Sequence, residues 1–326
     1  MGLVARFVTG FLPSIVAEVT IAILLGAIVA AIGGPRLGPL APGLRFAAQR
    51  VLRLGIVLLG ARLSLAEIAR IGLPATGVIV VTMALSFAVV LAVARVVRVD
   101  GRLALLIAVG SAVCGNTAIV ATAPVIGARA REVAYAIATI TLFGTVAVFL
   151  YPAIGRVVGV DESTFGLWSG VAVHDTSQVI ATSAAFGPEA LDVATVVKLI
   201  RNALMAPVLL VIAAIWAARA DGTDGTAGSV GGGVRRAVPL FVFGFLALAG
   251  LRSIGLIDAG QAATLDGVAK AFVLVALAGV GLSIRFGELR DMSWRPIAVG
   301  FSVAFAVGAA SLVAITTLGL GSAIAP

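Results

Sequence analysis

The amino-acid sequence predicts an all-α polytopic integral membrane protein, and three observations support this fold class. Of the 326 residues, 61% are hydrophobic and only 12% are charged, which is about half the charged fraction of soluble domains. The mean hydropathy is +1.17. Apolar runs of about 20 residues, enough helix to cross a bilayer, recur along the whole chain. This pattern disfavours a soluble α/β protein with long buried helices.

The basic residues indicate how the chain is oriented. The net charge is +8, from 23 Lys and Arg against 15 Asp and Glu. We do not assign this excess to nucleic-acid binding, because the basic residues cluster in short loops between apolar segments, as the positive-inside rule describes. We therefore predict a multi-pass protein in the lipid bilayer of the bacterial inner (plasma) membrane, with its Arg-rich loops in the cytoplasm.

About ten membrane segments are predicted, each bounded by Gly, Pro or polar residues. The Gly- and Pro-rich stretch 33–43 ends the first segment, and the Gly-rich linker 220–233 divides the chain into helical parts 1–219 and 234–326. Because no soluble domain fits between these breaks, residues 1–326 form one transmembrane domain. In chain order, the segments are 14–32, 44–62, 73–97, 101–127, 133–156, 164–186, 192–218, 236–252, 267–284 and 296–319.

An internal repeat places two polar stretches in equivalent positions. "GSAVCGNTAIVATA" (110–123) aligns without a gap on "GVAVHDTSQVIATS" (170–183), and the offset is 60 residues. A shorter pair, "LLGARLSL" (58–65) and "LAGVGLSI" (277–284), suggests inverted-repeat character. Repeats of this kind bring binding sites to the midplane of transporters. We predict that 110–123 and 170–183 are broken or re-entrant helices that meet near the midplane; loop charges favour the re-entrant form only slightly.

The first polar stretch contains Cys114, Gly115, Asn116 and Thr117. Glycine is unfavourable inside helices, and the backbone groups that a break exposes need partners from protein or water at membrane depth. These four residues are therefore candidate ligand-binding residues. The alternative is a helix kink that only packs against a neighbour.

The second polar stretch contains the only histidine, His174, followed by Asp175, Thr176, Ser177 and Gln178. Ionisable residues inside a membrane are costly and commonly functional. These five residues are candidate binding residues, and His174 with Asp175 is a candidate proton-coupling pair. The alternatives are structural: Asp175 as a helix cap and His174 bonded to a carbonyl. One His and one Cys are too few for a zinc site, so no metal is predicted.

A third group, Lys198, Arg201 and Asn202, lies on one helix face, because these residues are spaced by three and four positions. Arg and Lys suit the recognition of oxyanions, and the N-termini of the half-helices would add further donors. We assign all three as binding candidates. Alternatively, the two cationic side chains extend to the lipid headgroups.

The long motifs of the chain resemble one known family. They are "LRLGIVLLGARLSL" (52–65), "CGNTAIVATAPVIGA" (114–128), "GVAVHDTSQVIA" (170–181), "VVKLIRNALMAP" (196–207) and "GVGLSIRFGEL" (279–289). On these motifs the chain resembles the YeiH-type bacterial membrane proteins, for which sulfate export is inferred. The resemblance implies a fold related to cation–proton antiporters and anion symporters, in which two broken helices cross at mid-membrane.

The sequence therefore predicts a secondary transporter, in the direction of export, of a small inorganic or sulfur-containing oxyanion such as sulfate. It carries no nucleotide-binding P-loop, and we predict no cofactor and no enzymatic activity. A proton or a sodium ion is the expected coupling ion, and a homo-oligomer is an open alternative. The competing hypotheses are a cation–proton antiporter that uses Asp175 and an intramembrane enzyme with Cys114 as nucleophile and His174 as base.

Overall fold

The computed structural model describes residues 18–33, 38–220, 240–282 and 293–324. Over these residues the chain is helical and contains no β-strand, which confirms the all-α class. The helices are α1 (Glu18–Gly33), α2 (Ala41–Phe46), α3 (Leu52–Leu59), α4 (Leu65–Val96), α5 (Gly101–Ala112), α6 (Asn116–Thr122), α7 (Ala130–Val158), α8 (Glu162–Ala172), α9 (Thr176–Ala184), α10 (Pro188–Ala203), α11 (Met205–Ala220), α12 (Leu240–Ser253), α13 (Ala259–Leu282), α14 (Trp294–Thr317) and α15 (Leu320–Ile324).

Five stretches of the described chain are helical, apolar and long enough to cross a membrane. They are Leu65–Val96, Arg131–Val158, Pro188–Trp216, Ala259–Gly279 and Trp294–Thr317. The remaining apolar helices are shorter or interrupted, so the count of ten segments stays a prediction. Apart from its first residue, Ala220, the predicted Gly-rich linker lies outside the described residues.

Two helices begin about eight residues earlier than the apolar pattern predicted, and polar caps explain both differences. At α4, the Ser64 backbone N–H donates to Glu67 Oε2 (2.7 Å), and the Glu67 N–H donates to Ser64 Oγ (3.2 Å). Such a capping box satisfies N–H groups that lack helical partners. At α13, Asp258 and Gln261 exchange hydrogen bonds in the same way. Because the first turns are polar, the apolar pattern did not indicate where these two helices begin.

The helices form two groups, judged by which of them pack together. We call α1, α2, α3, α12 and α13 the outer group, in which α13 packs against α1 and α3, and α12 packs against α3. We call α4 to α11, α14 and α15 the core group. Helix α8 is central to the core group, because it packs against α10, α14 and α15. Contacts between the groups are sparser and include α9 against α1 and α13.

Two glycines one helical turn apart let α8 and α10 approach closely. A Cβ atom on Gly166 would lie 2.8 Å from the Ala190 carbonyl oxygen, and one on Gly170 would lie 2.8 Å from Val197 Cβ. Small residues with this spacing are a known means of close helix packing in membranes. The close approach brings the next turn of α10, with Lys198 and Arg201, against the chain that follows α8.

A cluster of ion pairs joins the two groups. Arg62, which follows α3, lies 2.9 Å from Asp192 of α10 and 3.3 Å from Asp266 of α13, and Lys270 pairs with Asp266 at 2.7 Å. The Arg62, Asp192 and Asp266 side chains are each at most 20% exposed. Arg62 therefore bridges the outer and core groups.

Replacing Arg62 with methionine is expected to lower the free energy of unfolding by about 2 kcal/mol. This value lies between an exposed pair and a fully buried pair that loses one partner. The measurement is the apparent melting temperature of the purified protein in detergent. Arg95→Met, at an exposed position near the end of α4, serves as the control. Equal melting temperatures for the two variants would contradict a stabilising role for the cluster.

Candidate functional site

The two repeated sequences form two interrupted helices, as predicted. Helix α5 ends at Ala112 and α6 begins at Asn116, whereas α8 ends at Ala172 and α9 begins at Thr176. The interruptions, 113–115 and 173–175, are separated by the same 60 residues as the sequence repeats. This register confirms that the repeat corresponds to two broken helices.

The first interruption is a sharp turn rather than a small kink. Gly115 has φ 66° and ψ −127°, a conformation that residues with a side chain strongly disfavour. A Cβ atom on Gly110 would lie 2.9 Å from Ile119 Cδ1. In a straight helix, nine residues would separate these positions by about 13 Å. Helix α6 therefore folds back toward the end of α5.

The two interruptions touch each other at Gly115 and Asp175. A Cβ atom on Gly115 would lie 2.8 Å from Asp175 Oδ2 and 2.9 Å from Asp175 Cα. Only glycine permits this approach. We call residues 113–117 and 173–178 the crossing.

Asp175 caps the start of α9. Its Oδ1 atom accepts hydrogen bonds from the Ser177 backbone N–H at 2.9 Å and from the Ser177 hydroxyl at 2.6 Å. The carboxylate therefore lies at the positive end of the α9 dipole. This is the capping role that the sequence offered as one alternative for Asp175.

Lys198 binds the backbone of both interruptions. Its Nζ group donates to the carbonyl oxygens of Val113 (3.0 Å), Val173 (3.2 Å) and His174. The side chain is only 1% exposed. Because all three acceptors belong to the crossing, one ammonium group holds the two broken helices together.

Arg201 has the same function one turn further along α10. The residue is fully buried, and its guanidinium group bridges the last turns of α5 and α8. It donates to the carbonyl oxygens of Ser111, Ala112, Gly170, Val171 and Val173, at distances from 2.5 to 3.5 Å.

These contacts supply hydrogen-bond donors to the carbonyl groups at the C-terminal ends of two helices. The last carbonyl groups of a helix lack intrahelical partners and carry a partial negative charge, and unpaired carbonyls are costly in a membrane. Lys198 and Arg201 supply both the donors and the positive charge for the ends of α5 and α8. Their burial also shows that they do not extend to the lipid headgroups.

The other buried site candidates differ in where they point. Asn202 donates from Nδ2 to Thr176 Oγ1 at 3.4 Å and therefore lies at the crossing. Gln178 turns away, because its Nε2 donates to the Thr141 carbonyl on α7 at 3.1 Å. Although Gln178 remains a binding candidate from sequence, its side chain connects α9 to α7 in this structure.

Cys114 and His174 are buried within the crossing. The Cys114 sulfur lies 3.4 Å from the sulfur of Met205 at the start of α11. His174 is 2% exposed, and its Nδ1 atom has no hydrogen-bond partner among the described residues. Within the described ranges, no group of three His, Cys, Asp or Glu residues is arranged to hold a metal ion.

One side of the crossing remains accessible. Thr117 is exposed, and Asn116, Asp175, Thr176 and Ser177 are half-buried, whereas the side occupied by Lys198 and Arg201 is closed. A ligand that reaches the crossing therefore meets hydroxyl, amide and carboxylate groups at the first turns of α6 and α9.

Sequence reasoning missed several residues that shape this site. Gly166 and Gly170 carry the spacing of a close-packing motif and could have been found. Met205 and Asp192 had no distinguishing signal, because their partners lie far away in the chain. The ion pair of Asp266 and Lys270 could also have been predicted, because opposite charges four residues apart on a helix interact.

Comparison with known proteins places the chain in a family. The family model described as conserved hypothetical protein 698 matches residues 1–300. A UPF0324 membrane protein of Bacillus cereus is 33% identical over 293 residues, which cover 88% of this chain and 80% of that protein. The UPF0324 membrane protein TauZ of Paracoccus pantotrophus is 37% identical over 262 residues, covering 79% and 76%.

A UPF0324 membrane protein of Ralstonia nicotianae is 36% identical over 294 residues, covering 85% of this chain and 79% of that protein. No solved structure matches the chain. The resemblance to the YeiH-type proteins is thus confirmed, and the chain belongs to the conserved hypothetical protein 698 family of UPF0324 membrane proteins.

Proposed function

We propose that this protein is a secondary transporter that moves a small oxyanion such as sulfate, in the direction of export, by alternating access. Membership in a family of membrane proteins, together with the two broken helices of this chain, supports a transporter-like role. The proposed binding residues are Asn116, Thr117, Thr176 and Ser177 of the crossing, with Asn202 of α10 next to them. The sparser contacts between the outer and core groups provide a boundary along which the two groups can move.

The observation that favours an anion is the position of Lys198 and Arg201. In transporters with broken helices, coupling cations bind to unwound carbonyls and to the C-terminal ends of half-helices, whereas N-terminal ends point at anionic groups. Here the carbonyls at the ends of α5 and α8 already accept hydrogen bonds from the two buried cations. The accessible side is instead the start of α9, which favours a negative ligand.

The amide of Asn202 is a second observation in favour of a polar ligand at the start of α9. The residue is 2% exposed, and its Oδ1 atom has no partner in the described part of the chain. Rotating the amide by 180° would let Thr176 donate to Oδ1 and free Nδ2 to donate to an oxyanion. An adaptable donor on α10 thus lies next to the first residue of α9.

The decisive experiment measures flux of labelled sulfate in proteoliposomes that contain the purified protein. We expect uptake into vesicles preloaded with unlabelled sulfate, above the level of empty liposomes, and competition by thiosulfate. Flux equal to that of empty liposomes for both anions would refute oxyanion transport.

The Thr176→Val variant is expected to raise the KM for sulfate about fivefold, because one hydrogen bond contributes about 1 kcal/mol. The matched control is Thr182→Val on the same helix, where the hydroxyl donates to the Gln178 carbonyl of its own helix at 2.6 Å. An unchanged KM in Thr176→Val, or an equal rise in Thr182→Val, would remove Thr176 from the binding site.

A cation–proton antiporter remains the second candidate. The specific observation in its favour is the half-buried Asp175 carboxylate close to Thr176 and Asn202, because carboxylate, amide and hydroxyl oxygens are ligands of hard cations. This reading predicts sodium-dependent proton movement in proteoliposomes, which Asp175→Asn would abolish. The proximity of two buried cations opposes it.

A further inference from the structure

Asp175 occupies the position that an incoming oxyanion needs. At the start of the nine-residue helix α9, its carboxylate accepts the Ser177 N–H and hydroxyl hydrogen bonds. An oxyanion bound at this helix end would use the same donors and the same positive dipole end. The carboxylate and the ligand therefore compete for one set of groups.

The balance of charge at the crossing also indicates that an ionised Asp175 competes with a bound anion. Lys198 and Arg201 contribute two positive charges, and the C-terminal ends of α5 and α8 offset roughly half a charge each. With about half a positive charge at the start of α9, roughly one and a half positive charges remain, and the Asp175 carboxylate offsets about one of them. A bound anion beside an ionised Asp175 would place two negative charges together in a region of low dielectric, where their repulsion is strong.

The other titratable groups near Asp175 are buried, whereas Asp175 lies on the accessible side of the crossing. His174 and Cys114 are buried next to it, and Lys198 and Arg201 donate to carbonyls. Farther along α10 and on α13, the carboxylates of Asp192 and Asp266 belong to the ion-pair cluster of Arg62. On α13, Lys270 pairs with Asp266. Asp175 is thus the carboxylate that faces the ligand position.

A second observation points to a ligand at this end of α9. Asn202, which reaches Thr176, is a buried amide with one unpartnered atom within the described ranges. It does not hydrogen-bond to Asp175 or to Ser177 in the contacts of the crossing. Its amide therefore lies at the first residue of α9 with hydrogen-bonding capacity that no described residue uses.

We propose that each oxyanion that binds at the start of α9 is accompanied by one proton, which is taken from water onto the Asp175 carboxylate. The proton makes Asp175 neutral, and the Ser177 N–H and hydroxyl groups then donate to the anion. This inference rests on the oxyanion transport proposed above and names its coupling ion. Because proton and anion cross together, an inward pH gradient opposes export, whereas the net charge of −1 on sulfate plus one proton is driven outward by an inside-negative membrane potential.

The test counts protons during binding to the purified full-length protein. Sulfate and thiosulfate are titrated separately by calorimetry near neutral pH, in two buffers of different ionisation enthalpy. Both anions are fully ionised there, so any proton taken up is bound by the protein. We expect uptake of about one proton per anion, and an affinity that falls about tenfold for each rise of one pH unit.

Two variants test whether Asp175 is the residue that takes up the proton. Asp175→Asn is expected to bind either anion without proton uptake and with an affinity independent of pH. The control is Asp161→Asn, because Asp161 caps α8 through the Thr164 N–H (2.7 Å) and hydroxyl (2.9 Å) in the same way. It is expected to keep the proton uptake of the unmodified protein. Melting curves verify that both variants are folded.

The possible outcomes separate this inference from the proposed function. Binding without proton uptake in the unmodified protein overturns the coupling and leaves oxyanion transport standing. Proton uptake that persists in Asp175→Asn overturns the assignment to Asp175. If Asp175→Asn does not fold, the proton count and the pH dependence of the unmodified protein still decide the coupling. Absence of binding for both anions removes the proposed function, and the inference with it.

Discussion

Replacing Arg201 with methionine is expected to lower the free energy of unfolding by about 4 kcal/mol or more and to abolish transport. The guanidinium group serves carbonyls at the ends of both α5 and α8. Each unsatisfied buried carbonyl costs about 1–3 kcal/mol, and methionine fills similar volume without any donor. The broken helices would lose the contact that fixes their ends together.

Thermal unfolding in detergent and sulfate flux in proteoliposomes measure these effects. The control is Arg131→Met, because Arg131 is exposed and donates only to Tyr135 among the described contacts. Arg201→Lys is expected to recover part of the stability, since an ammonium group keeps the charge but lacks the planar fork of donors. Normal melting and flux in Arg201→Met would show that the carbonyls find other partners.

The Gly115→Ala variant is expected to lose most transport, with a loss of unfolding free energy of about 3 kcal/mol. A positive φ costs about 1–3 kcal/mol for a residue with a side chain. The new Cβ atom would also press on the backbone and carboxylate of Asp175. Because it meets backbone atoms, the clash cannot be relieved by turning a side chain, and the two interruptions must separate.

Gly127→Ala provides a matched control for this substitution. Gly127 also has a positive φ, of 60°, but a Cβ atom there would meet nothing within 4 Å. Gly127→Ala should therefore show only the backbone cost, with flux unchanged. If the two variants behave alike, the contact between Gly115 and Asp175 is unimportant for the crossing.

These predictions follow from one feature, the division of charge between the two sides of the crossing. Cations from α10 serve the C-terminal ends of the half-helices, and the Asp175 carboxylate serves the start of α9. The arrangement keeps the backbone of both interruptions satisfied without requiring a ligand. Under the proposed function, the accessible side takes the negative ligand, and Asp175 becomes neutral when it binds.

Much of the fold could be predicted because it depends on local pattern. The composition and the apolar runs determined the all-α membrane class. The repeat at an offset of 60 residues located both interruptions, since helix breaks follow from glycine and polar residues nearby. The predicted starts of α4 and α13 lie about eight residues after the observed ones, because the polar capping turns lack the apolar residues typical of membrane helices.

The roles of the site residues were harder to predict from the sequence. Lys198 and Arg201 were expected to face an anion, and they remain binding candidates on sequence grounds, but their donors bond to carbonyls. Gln178 was grouped with its neighbours, yet its amide reaches α7. A side chain on a helix of known period can still point to any of several neighbours, and the period alone does not say which.

The sequence by itself determined that this chain is a helical membrane protein with two equivalent broken helices and a small set of buried polar residues. Only the tertiary structure decided which groups those residues bind. The acceptors of Arg201 include the Ser111 carbonyl, 90 residues earlier in the chain. Backbone carbonyls are the same at every position, so no side-chain pattern marks them as partners until folding brings them together.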